Sequence, residues 1–408
     1  MNGSESPITE DLFEASSKRF CIPENEGRPL HYFCGNSLGL QPKTTSAAIS
    51  EVLQDWAGLA VDAHFDAGRR WYDYPDLLSP GLARLCGASE SEVRAMGSLS
   101  SNLHLMMVSF FQPKGKRRKI LIEAGAFPSD RYAVESQLKF HGLDPKECLI
   151  EVFPRKDSFL IETEDILSAI TDHEEELALV LFSGVQFRSG QCFDMAAIAA
   201  AAQASGARCG FDLAHAIGNV PLQLHAWGAD FAVWCSYKYL NAGPGAVGGI
   251  FVHEKHASDE SLPRFAGWFG QKGERRFLME SHFSPAYGAE GWQLSNENIL
   301  SLAALRASLE EFKRFDFSVL VARQQQLVSR MEALLREIPG MKILTGPERG
   351  GQLSFQVKNN PQEFFARLKS AGITGDYRKP DVIRLAIAPL YNRKADLDVL
   401  EACLMQYC

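Results

Sequence analysis

Three side chains in the middle of the chain could act together in one reaction. They are the carboxylate of Asp212, the imidazole of His215 and the amine of Lys238. Lys238 stands between two tyrosines in "CSYKYLNAGPGAVGGIFV" (235–252), directly after the apolar run Phe231–Cys235. A strand made of that run delivers Ser236, Tyr237 and Lys238 at its carboxyl end. A second short run, "ARCGF" (207–211), leads into "DLAH" and delivers Asp212 and His215 to the same edge. In open α/β sheets that edge is where ligands bind. Metal binding would use Asp212 and His215, but no third ligand recurs nearby and lysine is a poor ligand beside them. Acid–base catalysis without a cofactor would need only two of the three. Pyridoxal phosphate uses them all: the lysine binds it covalently, and an acid keeps its pyridine nitrogen protonated so that the ring accepts electrons. The alternative is a solvated lysine paired with a structural aspartate. The flanking Gly243-Pro244-Gly245 and the position of Asp212 weigh against it.

The same stretch contains a literal G-x-G-x-x-G at Gly243, Gly245 and Gly248. A dinucleotide fingerprint needs its glycines to open a helix whose N-terminus holds the pyrophosphate. Here "AVGGIFVH" follows, which favours a strand, and no acidic residue ends a second strand about twenty positions on. The glycines shape the turn behind the lysine. Arg384 is a second candidate. In "DVIRLAIA" the period-2 pattern puts Ile383, Leu385 and Ile387 on one face and Val382, Arg384 and Ala386 on the other. A guanidinium on so apolar a strand needs an anionic partner. A structural carboxylate would serve, and so would the α-carboxylate of an amino-acid substrate gripped bidentately.

The elements that must position these groups follow from the pattern around them. Ile120–Glu123, Leu177–Ser183, Ala207–Phe211 and Phe231–Cys235 are short apolar runs with turn signals nearby. Between two of them, "FDMAAIAAAAQASGA" predicts a helix with Asp194 as N-cap and Gly206 as stop. Strands alternating with helices imply right-handed crossovers and an α/β fold with a mostly parallel sheet covered on both faces. Residues 1–45 read as an arm, with a short helix near Ile8–Lys18, and residues 46–300 as the large domain. Residues 301–408 read as a smaller α+β domain, because "KILTG" and "GQLSFQV" follow one another without a helix between them. The amphipathic stretch 317–338 is the expected connector.

Composition narrows the function classes. The chain has 408 residues, 46% of them hydrophobic and 23% charged, which is ample for a large core. Its net charge of −8 argues against nucleic-acid or anionic-membrane partners. The basic run "KGKRRK" (114–119) precedes an apolar strand and reads as a solvated loop. Nine cysteines without C-x-x-C pairs point to reduced thiols in a cytoplasmic protein, with no disulfide framework and no structural metal. No apolar h-region opens the sequence and no run is long enough to cross a bilayer.

Eight motifs in order resemble those of the kynureninases, which are fold-type-I pyridoxal-phosphate enzymes. They are "GNSLG" (35–39), "SLSSNLHLMMVSFFQP" (98–113), "FPSDRYAVESQLKFHG" (127–142), "FDLAHAIGN" (211–219), "CSYKYLNAGPG" (235–245), "GWFG" (267–270), "QLSNENIL" (293–300) and "IRLAIAPLYN" (383–392). The resemblance spans nearly the whole chain and implies a seven-stranded, mostly parallel sheet in the large domain. It implies that Lys238 holds the cofactor and shuttles protons, that Asp212 pairs with the pyridine nitrogen and that Asp130 adds a second carboxylate there. Phe127 would stack on the ring and His215 would sit close to it. Leu99, Ser100, Ser183 and Tyr237 would hold the phosphate, with Trp268 and Asn296 reaching it from the other subunit of a homodimer. Tyr237 is the expected proton donor. Ser37, His64, Phe269 and Asn296 would lie at the aryl end of the substrate and Arg384 at its carboxylate, although "WAGLAVDAHFD" departs from the family's usual glycine-containing approach to that histidine. The implied reaction is hydrolysis of L-kynurenine, with 3-hydroxykynurenine also accepted. The rival readings are a cysteine desulfurase, which would carry a histidine where Tyr237 stands, another enzyme of the same branch such as an aminotransferase, and a non-catalytic binding or dimerisation module.

Overall fold

The structure, a computed structural model, describes residues 10–406. Its centre is a seven-stranded sheet. In chain order the strands are β1 (Val93–Ala95), β2 (Lys119–Glu123), β3 (Leu149–Val152), β4 (Leu177–Ser183), β5 (Arg208–Asp212), β6 (Phe231–Cys235) and β7 (Gly248–Val252). They lie side by side as β1-β7-β6-β5-β4-β2-β3. From β6 to β3 every neighbouring pair is parallel, and only β7 runs against both of its neighbours.

Alternation along the strands fills a core on each face. Leu121, Val180, Phe182, Phe211 and Trp234 pack to one side. Ile120, Ile122, Leu179, Leu181, Phe231 and Val233 pack to the other. Fully burying each such side chain contributes about 1.5–3 kcal/mol, so a one-residue slip of any strand is strongly disfavoured. The helix between β4 and β5 runs Met195–Ser205, with the Asp194 carboxylate accepting from the Ala197 amide at 3.0 Å and Gly206 ending it at φ 77°. Gly248 opens β7 rather than a helix, so the glycine triplet has no pyrophosphate-binding geometry. In the basic loop, Lys116 and Lys119 pair with Glu175 and Glu176 at the surface.

A second sheet has the order β8-β9-β11-β10, all antiparallel, from β8 (Met341–Ile343), β9 (Gln352–Val357), β10 (Asp376–Arg378) and β11 (Val382–Ala386). Leu353, Phe355, Ile383, Leu385 and Ile387 form its core with Leu327 and Leu335 of the helix Phe317–Arg336. The arm joins this part: His31 and Tyr32 pair in parallel with Ile373 and Thr374, and Phe33 is buried in the same core. The first helix runs Glu10–Ser17, and the expected Ile8 start lies outside the described residues. Among the described residues no helix is long and apolar enough to cross a membrane.

Candidate active site

The carboxyl ends of three strands and the first turns of two helices enclose one cavity of about 210 Å³. Lys238, Tyr237, Asp212 and His215 line it, as do Ser183, Leu99 and Ser100 at the head of α1 (Leu99–Phe110), and Phe127 and Asp130 at the head of α2 (Pro128–Phe140). Parallel register explains the gathering: Ser183 and Asp212 end adjacent strands as register partners, and Lys238 follows the next strand over. The Lys238 amine lies 5.9 Å from the Phe127 ring centroid and 5.7 Å from that of Tyr237. "GNSLG" braces this turn from outside. The Gly39 amide donates to the Tyr237 carbonyl at 2.8 Å, and a Cβ at Gly39 would meet the Lys238 carbonyl oxygen at 2.3 Å. Gly97, at φ 53°, makes the turn that aims α1 at the cavity, and the Ser98 amide donates to Ser101 Oγ at 2.9 Å.

The electrostatics are dominated by acids. Burial pushes the Asp130 carboxyl well above its usual value, and the charge and hydrogen bond of Asp212 add to the effect. Behind both lies Glu123, which ends β2 at 2% exposure. Burial pushes it up to about 7, against the pull of hydrogen bonds from Ser183. His215 is held well below the usual histidine range, first by burial and then by the charges of Lys238 and Arg384. Its Nδ1 has no hydrogen-bond partner. Burial, then the neighbouring Cys235 thiol, raises the Tyr237 phenol, so it keeps its proton.

Arg384 is 1% exposed, and its anionic partner within the chain is Asp376, which β10 places directly opposite it in register. Nε donates to Asp376 Oδ2 at 2.6 Å and Nη2 reaches the same oxygen. Nη1 donates to the Phe187 carbonyl at 2.5 Å and Nη2 to Ser37 Oγ at 3.4 Å. The structural carboxylate that the strand pattern left open is therefore present, and Ser37 and Arg384 meet.

Six expected residues do not line this cavity: Ser37 and Arg384, which meet each other as described, and four more. Trp268 is 44% exposed, Asn296 is exposed, and Phe269 is buried against Trp268 and Tyr72. His64 stacks edge-on to Trp71 and hydrogen-bonds to the Val61 carbonyl at 3.0 Å. Phe65, Tyr72, Trp268 and Phe277 form one aromatic cluster at the surface beside them. Glu123, Asp376 and Phe187 are the site residues that the sequence reading missed. The strand-end position of Glu123 in "KILIE" was the available signal.

The cavity fits pyridoxal phosphate on its own chemistry: an amine, acids without a cationic partner beside them, an unpartnered imidazole nitrogen and a helix N-terminus suited to phosphate. Fold and site define the aminotransferase class-V family, whose model matches residues 31–374. Curated kynureninases are much closer in sequence. One from Stenotrophomonas maltophilia is 53% identical over 93% of this chain and 91% of its own. Another, from Myxococcus xanthus, is 52% identical over 95% and 92%. The chain belongs to the kynureninase family. Among solved structures, a cysteine desulfurase from Thermococcus onnurineus superposes with a TM-score of 0.78 at 17% identity, covering 100% of this chain and 99% of that one. One from Escherichia coli gives 0.78 at 16%, covering 98% of each. These two share the fold.

Proposed function

We propose that this enzyme hydrolyses the Cβ–Cγ bond of L-kynurenine to anthranilate and L-alanine, and accepts 3-hydroxykynurenine as well. Its cofactor is pyridoxal phosphate. When bound, that cofactor supplies a cationic ring that takes up the electrons of a bond broken at the amino acid. The observation that carries the reading is the meeting of Lys238, Asp212 and Tyr237 at one cavity in a chain about half identical to curated kynureninases.

Lys238 holds the cofactor and moves the proton of the substrate's α-carbon. Asp212, with Asp130 behind it, keeps the pyridine nitrogen protonated. Phe127 covers the ring, and His215 stays neutral beside it because burial and two nearby cations disfavour its charge. Leu99, Ser100, Ser183 and Tyr237 hold the phosphate, the first two through the N-terminus of α1. Tyr237 keeps its proton and gives it to the alanyl fragment. Arg384, steadied by Asp376 and the Phe187 carbonyl, receives the α-carboxylate next to Ser37.

Trp268 and Asn296 act from a second copy of the chain, and His64 and Phe269 meet the aryl end of the substrate, so the working unit is a homodimer with shared sites. The exposed aromatic face around Phe277, 57% exposed, supports this. The three-part division at residues 45 and 300, a cytoplasmic location, and a place in tryptophan breakdown and NAD precursor supply complete the reading. A desulfurase is disfavoured by the thiol beside Ser37 and Arg384. Burial pushes Cys34 up, the wrong direction for a nucleophile.

The test is product formation from cofactor-loaded protein given each kynurenine separately, with Lys238→Ala as control. Anthranilate or its 3-hydroxy form with equimolar alanine is expected, and neither in the control. Cofactor binding without either product would refute the reaction.

A further inference from the structure

The carboxyl edge holds three buried acids, and the proposed function uses two. Glu123 is the third. It ends β2, with Ser183 at the end of neighbouring β4 and Asp212 at the end of β5 beyond it. Ser183 Oγ lies 2.6 Å from Glu123 Oε1, and the Ser183 amide lies 3.3 Å from each carboxyl oxygen. On its other side Glu123 is paired with Val152 of β3, which is apolar. The charges that press on it, Asp212 from β5 and Asp130 from α2, are both negative. Three like charges in one buried space are costly, and burial with Asp212 beside it raises Glu123 to about 7, so its protonated form is populated where an ordinary glutamate's is not.

If Glu123 were a carboxylate, it could only accept, and Ser183 would spend its single proton on it. A neutral carboxyl reverses that bond. We propose that Glu123 is a positioning residue acting in its protonated form: its O–H donates to Ser183 Oγ and turns the serine's own proton toward the bound cofactor. The oxygen–oxygen distance of 2.6 Å suits a bond in either direction. Neutral Glu123 also leaves the negative charge of the cluster to the Asp130–Asp212 pair. The inference rests on the cofactor lying over Lys238 and Asp212.

The test uses holoenzyme and the variants Glu123→Gln, Glu123→Met, Ser183→Ala and Glu123→Met/Ser183→Ala. Glutamine is neutral and can still donate, so Glu123→Gln is expected to keep cofactor affinity within about twofold, with the pH titration of the bound cofactor's visible band unmoved. Methionine cannot donate, and its affinity should fall about tenfold, the scale of one lost hydrogen bond. Ser183→Ala should lose a similar factor, and the double variant no more than either single one. Wild-type infrared spectra below pH 7 should carry a protonated-carboxyl stretch that Glu123→Gln lacks, a readout that survives if the methionine variant does not fold. A glutamine variant as weak as the methionine one, losses that multiply in the double variant, or absence of the stretch would overturn the proposal. An unchanged visible band in Lys238→Ala would instead sink the cofactor placement.

Discussion

The two edges of the large sheet bury carboxyl groups to the same depth and treat them in opposite ways. At the amino edge, Asp230 precedes β6 at 4% exposure and Glu92 precedes β1 at 0%. Burial alone would raise Asp230, but His256 at 2.7 Å, Lys255 at 3.0 Å, the Cys209 amide at 2.8 Å and Arg208 at 3.2 Å pull it down to about 2. Glu92 is likewise lowered despite burial, because it accepts from the amides of Ser89 and Glu254 and meets His225 at 2.9 Å. At the carboxyl edge, Glu123 and Asp130 are raised, and each is pressed by another acid. Burial depth is common to both edges, so the difference lies in what the fold places beside each acid. Compensated acids fasten strand ends and loops together. Uncompensated ones leave the cavity without a balancing cation, which on the proposed reading the protonated pyridine ring would supply to the Asp130–Asp212 pair. Glu92, His225 and His253 bring ligand atoms within 4.8 Å of one another, as a metal site would. His253 Nδ1 already accepts the Lys255 amide at 3.1 Å, which ties this group to the fastening role.

Changes at the carboxyl edge should therefore cost chemistry, and changes at the amino edge should cost stability. The largest effect is expected from Lys238→Ala, which removes the amine from the cavity. Turnover should fall by about 10³- to 10⁴-fold in steady-state assays, while the unfolding midpoint stays near wild type. A variant that lost stability in proportion would break the comparison.

Asp230→Ala should do the reverse. It leaves His256 and two cations without their shared partner, at a cost of about 3–4 kcal/mol in denaturant unfolding, with turnover per folded molecule unchanged. The pH dependence has a fixed sign. A folded-state value lowered to about 2 contributes stability above the ordinary aspartate range. About 2 kcal/mol is then lost as pH falls from about 4 to 2, and the alanine variant should lack that loss. Glu123→Gln probes the other edge in the opposite direction. Because the folded carboxyl is raised to about 7, the unfolded chain ionises first as pH climbs from about 4.5. Wild type then loses up to about 3 kcal/mol by pH 7. Cofactor-free Glu123→Gln should avoid that loss, so the two stability curves diverge with rising pH. Parallel curves would mean that Glu123 is as well compensated as Asp230.

Strand-end chemistry is what the sequence exposes most directly. Lys238 and Asp212 were legible because each follows a short apolar run, and parallel strands bring such ends to one edge. Lys238, Asp212, His215, Phe127 and Asp130 do meet there. Glu123 was hidden because its meaning depends on Ser183, far along the chain, across a register that periodicity does not fix. Arg384 was half legible: its strand pattern demanded an anion, but only the pairing of β10 with β11 names Asp376. β1, three residues long, is too short to carry a period. The aromatic cluster around Trp268 and Tyr72 assembles from segments far apart in the chain, and no local pattern announces it.

The smallest expected effect tests whether the amino edge is compensated even at its surface. His225 bonds to buried Glu92 while its own side chain is 43% exposed. The hydrogen bond that the ring donates to Glu92, followed by that group's charge, raises the imidazole above its usual value. Stability from this pair is fully present below about pH 6.5 and is lost as pH rises through the raised folded value. Solvent screening at an exposed ring limits it to under about 1 kcal/mol. Unfolding curves of His225→Asn between pH 6 and 9 should lack this component, while cofactor affinity stays unchanged at the far edge. A loss several times larger would mean that Glu92 depends on this imidazole for its charge. The amino edge would then be held by a titrating group rather than by the backbone amides of Ser89 and Glu254.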